Sequence, residues 1–123
     1  PEQTSWLRGR DLLPADPFMQ AAAFAYLSDW WLNFSSLAPH VLELEAAQRR
    51  LYISSLNHCI WFHRPFRADD WMHFDCHSPS AAFGRGLAIA RVHDAHGALV
   101  ASTTQESLMT YADEATLPPG RRG

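Results

Sequence analysis

The stretch DPFMQAAAFAYLSDWWLN, residues 16–33, decides the fold, because no other run is long and helix-prone enough to form one central helix. Asp16 suits an N-cap, and Pro17 fits the first helical position, where its missing N–H costs nothing and its φ is already helical. The helix is therefore expected to begin at Pro17. Phe18, Ala22, Ala25, Asp29 and Leu32 recur at spacings of three and four and share one face, apolar except for Asp29. Met19, Ala23, Tyr26 and Trp30 make a second apolar line beside it. Such a helix is expected to be buried nearly all round and wrapped by a sheet. A carboxylate in that stripe, near the helix C-terminus where the macrodipole disfavours negative charge, asks for a functional reason.

Outward from the helix, the chain changes period. Residues 4–9, TSWLRG, alternate weakly around Trp6 and read as a short strand leading into a polar link. Ser35 to Gln48 reads as a covering loop with a turn of helix at Leu42 to Ala47. From Leu51 to His63 the period is two, with Tyr52, Ser54, Leu56, His58, Ile60 and Phe62 on one face and Ile53, Ser55, Asn57, Cys59, Trp61 and His63 on the other. Both faces carry β-branched or aromatic residues, which suggests a strand covered on both sides or an unusually long one. Trp71 to His77 is the next strand, broken by Ser78, Pro79 and Ser80. Gly84 to His93 and Leu99 to Met109 form a hairpin around the turn Asp94-Ala95-His96-Gly97. In the return strand Gln105 shares a face with Leu99, Ala101, Thr103, Ser107 and Met109.

One short strand, one long helix and four consecutive strands that pair antiparallel and curl around it make an α+β hotdog arrangement. At 123 residues the chain is one domain, expected over residues 1–111, with a disordered tail at 112–123. A formal charge of −3 leaves no basic footprint for nucleic acid and no polybasic segment for anionic lipid. No window approaches a membrane span, and no signal-peptide pattern is seen. Cys59 and Cys76 alone imply no disulfide framework, so reduced thiols in a cytoplasmic-type compartment are expected. The chain starts at Pro1, which suggests a processed product or a piece of a longer chain, and a peroxisomal address could have been lost from its other end.

Three runs carry a resemblance: WFHRPFRADDW within residues 54–71, SPSA…GRG from residue 78, and VAST-x-QE ending near residue 107, together with YLSDWWLN at 26–33. They resemble the type II acyl-CoA thioesterases, whose chains carry two hotdog units, and this chain is similar to the second. The resemblance implies that Asp29, a hydroxyl residue at Ser55 and Gln105 together position and activate a water that hydrolyses the thioester. Asn57 stands where that family usually has an Asp before its His, which bears on a local charge beside the site.

Water chemistry also fits the residues themselves. No Gly-x-Ser-x-Gly elbow is present and no Cys–His pairing is forced by spacing, so a covalent acyl-enzyme has no support. Asp29 is the expected general base, its pKa lifted by burial and by the helix terminus, with Ser55 and Gln105 holding the water or donating to the carbonyl oxygen. Each also has a structural reading: an Asp that bonds locally, a small polar filler, a Gln satisfied by backbone. His58, His63, His73 and His77 match no common zinc spacing and read as structural, and no metal or other cofactor is needed. Arg64, Arg67 and Arg85 read as solvated, and Trp30, Trp31, Phe34, Trp61 and Trp71 as core or interface. The acyl chain of an acyl-CoA substrate is expected in an apolar tunnel beside the helix, lined by Ala21 to Ala23 and Phe24.

A lone unit leaves a sheet edge and a helix flank uncovered, so pairing with a second copy or with a first hotdog unit is expected. Two other readings remain open: a non-catalytic half that binds acyl groups or serves assembly, and a dehydratase-like hotdog enzyme. The last would want a catalytic His, and residues 18–33 contain none.

Overall fold

In the computed structural model, residues 2–37 and 50–112 are described. The elements are β1 (Glu2–Leu7), α1 (Pro17–Leu37), β2 (Arg50–Phe62), β3 (Met72–Ala82), β4 (Arg85–Asp94) and β5 (Leu99–Ala112). All strands join one antiparallel sheet in the order β1-β3-β4-β5-β2, and α1 packs against a single face of it. This is the expected hotdog architecture. Ala112, expected to begin the tail at 112–123, is instead the last residue of β5, paired with Arg50, while residues 113–123 and the turn of helix expected at 42–47 lie outside the described residues.

The helix starts at Pro17 as expected, with the Phe18 N–H donating to the Asp16 cap at 3.0 Å. It runs four residues further than Asn33, to Leu37. Its buried stripe is Gln20, Phe24, Ser28, Leu32 and Ser35, not the lines read from the sequence. Only Leu32 is common to both. Three of these five are polar, so a search for apolar spacing selects the wrong face. Burial is tolerated because each finds a partner. Gln20 accepts from the Ala68 N–H at 2.6 Å and donates to the Pro14 carbonyl at 3.1 Å, while Ser28 and Ser35 donate back to Ala25 and Leu32. On the opposite side Phe18, Met19 and Tyr26 are exposed, so among the described residues α1 is covered by the sheet side only.

Against the buried stripe the sheet presents Met72, Phe74 and Cys76 of β3, Ala88, Ala90 and Val92 of β4, and Ala101, Thr103 and Gln105 of β5. The central alanines leave room for the helix to approach. Phe24 is the hub of the apolar end, stacked on Phe74 and edge-on to Phe62 and Phe66. Beside it, Asp69 receives two hydrogen bonds from Arg67 and one from the Leu13 N–H, and Gly9 bonds to Ala68 at 2.6 Å. This clasp holds the segment before the helix against the turn after β2. Arg67 is thus paired rather than free in solvent, and Arg85 lies 3.6 Å from Glu106.

Other expectations change. Trp6 faces outward against the His73 ring, and Trp61 and Trp71 are half exposed, Trp71 beneath Arg8. β2, with 13 residues, fits the alternative of an unusually long strand, and it lies at an edge of the sheet. β3 does not stop at Ser78 but continues to Ala82, with a register shift between His77 and Ser80 that takes up Pro79.

Candidate active site

Asp29, Ser55 and Gln105 come from α1, β2 and β5, and the fold brings all three together. Gln105 Nε2 donates to Asp29 Oδ1 at 2.6 Å and to Ser55 Oγ at 2.5 Å, and Ser55 Oγ donates to the same Asp29 oxygen at a longer 3.4 Å. Gln105 is wholly buried, whereas Asp29 and Ser55 are exposed, so the amide forms the floor and the carboxylate and hydroxyl open outward. Gln105 Oε1 is buried without a hydrogen-bond partner among the described residues. The Asp29 side chain is exposed rather than buried, and α1 continues past it for roughly two turns, so it does not stand at the helix C-terminus.

A bulge in β2 makes this meeting possible. Ser55 pairs with Ser107, but Asn57 pairs with Glu106 and His58 with Gln105, so Leu56 is the extra residue. Strict alternation separates Ser55 and His58 onto opposite faces. The bulge restores both to the helix side, and sends Asn57 outward to donate to Glu106 Oε1 at 3.2 Å. The departure at Asn57 therefore lies on the far face of the strand from Asp29.

Sequence reasoning missed His58 as part of this neighbourhood. Its Nε2 lies 3.1 Å from Ser28 Oγ and 3.1 Å from Thr103 Oγ1, both wholly buried. Burial pushes its pKa down, against a smaller upward pull from Asp29. No sequence signal marked the bulge that turns His58 inward. The other three histidines are elsewhere: His63 on Ser102 at 2.8 Å, His73 between Trp6 and His93, and His77 exposed on β3.

A cleft of about 650 Å³ opens between the start of α1 and the segment 62–67, with Pro17, Ala21, Phe62 and Phe66 among its walls. Of the residues expected to line an acyl tunnel, Ala21 borders this cleft, whereas Ala22 is exposed, Ala23 packs against the core and Phe24 is fully covered within it.

Comparison with known proteins agrees with this architecture. The family model described as the acyl-CoA thioesterase C-terminal domain matches residues 1–109. Acyl-coenzyme A thioesterase 8 of Mus musculus is 36% identical over 110 residues, covering 89% of this chain and 33% of that protein. Acyl-CoA thioesterase 2 of Haemophilus influenzae is 35% identical over 112 residues, covering 91% of this chain and 38% of that protein. The crystal structure of an acyl-CoA thioesterase II from Mycobacterium marinum superposes with a TM-score of 0.82 at 42% identity, covering 91% of this chain and 42% of that one. The chain thus spans little more than a third of the curated relatives it matches. Among the described residues, no helix is long and apolar enough to cross a membrane. On its family match, its identity to these relatives and its hotdog architecture, this chain belongs to the acyl-CoA thioesterase C-terminal domain family.

Proposed function

We propose that the chain carries the hydrolytic residues of an acyl-CoA thioesterase, converting fatty acyl-CoA and water to free fatty acid and coenzyme A. The observation that supports this most is the convergence of Asp29, Ser55 and Gln105 around one carboxylate oxygen, with that carboxylate exposed to an incoming substrate. Asp29 takes a proton from a water whose oxygen attacks the thioester carbonyl. The C–S bond then breaks, and the leaving sulfur recovers the proton from Asp29. Gln105 orients the carboxylate and the Ser55 hydroxyl, and Ser55 is placed to hold the water or donate to the developing oxyanion. A preorganised donor of that kind is worth about 3 kcal/mol in the transition state.

The cleft beside Ala21 is the proposed seat of the acyl chain, since its walls are mostly apolar and it lies alongside the same helix. Nothing in this chemistry calls for a metal or other cofactor. Asp29 stands at the rim between α1 and the sheet, beside the exposed helix residues Phe18 and Tyr26, so pairing with a second hotdog unit would close the site from above. An aqueous, reducing compartment, cytoplasm or peroxisome, suits the free thiols of Cys59 and Cys76.

Asp29→Asn is isosteric and keeps an acceptor oxygen for Gln105. The expected outcome is a fall in coenzyme A release of about 1,000-fold or more with the thermal midpoint unchanged. Chromatographic detection of coenzyme A across acyl chain lengths is the measurement, and a variant with near wild-type turnover removes Asp29 as the base.

A further inference from the structure

His58 has no role in the water chemistry above, yet it is a further side chain that ties the helix to the sheet at the site. One ring nitrogen, Nε2, stands 3.1 Å from Ser28 on α1 and 3.1 Å from Thr103 on β5. Ser28 immediately precedes Asp29, and Thr103 is the next helix-facing residue before Gln105. His58 is also the direct cross-strand neighbour of Gln105. The Ser28 hydroxyl already donates to the Ala25 carbonyl at 3.1 Å, so its oxygen faces Nε2 as an acceptor, and a ring with its hydrogen on Nε2 serves both oxygens. Burial pushes the pKa of the ring down, against the pull of Asp29, and so favours its neutral form.

A Ser28–His58 pair has the separation of a nucleophile and its base, but it does not act as one here. Ser28 is wholly buried and its hydrogen is engaged by Ala25, so no substrate carbonyl reaches it.

We propose that His58 is a positioning residue, a hydrogen-bonded bridge between Ser28 and Thr103 that sets α1 against β5 and thereby fixes the short Asp29–Gln105 contact. The inference rests on the catalytic reading of Asp29, Ser55 and Gln105. A misplacement of the base by about 1 Å costs roughly 100-fold in rate even when substrate binding is untouched.

The experiment compares His58→Phe, His58→Gln and Ser28→Ala in the full-length protein. His58→Phe keeps a ring of similar volume and loses the bridge; kcat is expected to fall about 100-fold with KM within about twofold. His58→Gln restores a donor and is expected to recover at least roughly tenfold of that loss. Ser28→Ala added to His58→Phe is expected to cost little more, because the two act through one link. A second readout is independent of turnover: the side-chain amide proton resonances of Gln105 should move in His58→Phe and stay in place in His73→Phe, an outer-face control. A kcat for His58→Phe within about threefold of wild type, a loss that appears in KM instead, or an unmoved Gln105 resonance overturns the bridge. If Asp29→Asn remains active, the catalytic reading fails by itself, and the Gln105 resonances still decide whether the bridge exists.

Discussion

Asp69 shows how much one buried carboxylate can carry outside the site. The Arg67 guanidinium and then the Leu13 N–H hold its pKa down to about 2, from an ordinary 3.8. A folded pKa below the unfolded one means stability that is fully present above the unfolded value and lost as pH falls through the folded one. The clasp is therefore expected to be intact above about pH 4 and to weaken progressively down to about pH 2. Asp69→Asn should lower the thermal midpoint at neutral pH, and the gap from wild type should close as the scan is repeated toward pH 2; a constant gap at every pH refutes this account. Asp29 is the contrasting carboxylate: it is exposed, so the role proposed for it rests on its neighbours rather than on burial.

At the scale of elements, the β3–β4 hairpin and the β2 bulge are the informative parts. Phe83 and Gly84 connect β3 to β4 with φ of 55° and 74°, both left-handed. Gly84 adopts this without cost, whereas Phe83 carries a Cβ there and is fully exposed, so it gains no packing in return. Phe83→Asn is expected to stabilise the protein by about 1 kcal/mol, since Asn-Gly suits a two-residue turn of this hand. Urea unfolding should show a higher midpoint with unchanged slope, and an unchanged or lower midpoint would count against strain at Phe83. In β2, the bulge at Leu56 is invisible to a strict period of two, which is why Ser55 and His58 read as facing opposite ways.

On the scale of the whole molecule, one helix face and one long sheet edge are left uncovered by the described residues. Phe18 is 85% and Tyr26 68% exposed, and β2 offers thirteen residues with pairing on one side only. Such surfaces are what a partner covers. The protein is expected to associate through this face, with Phe18→Ser plus Tyr26→Ser shifting light-scattering mass toward the single unit at micromolar concentration and reducing thioester turnover in step. A wild-type monomer with full activity would show that no second unit is needed.

The sequence by itself determined the element order, the Pro17 helix start, the set of residues that shares a face with Gln105 on β5, and the motif runs that mark the family. These depend on local periodicity, capping chemistry and residue identity, all of which are written within a few residues of each other. Only the tertiary structure decided which side of the helix is buried, because Gln20, Ser28 and Ser35 become acceptable inside once Ala68, Pro14 and the helix's own carbonyls receive them. It also decided that Asp29 is exposed, that Ser55 and His58 share a face, and that Gln105 reaches both Asp29 and Ser55. Those outcomes turn on a register shift between strands some fifty residues apart in the chain, and no pattern within either strand encodes it.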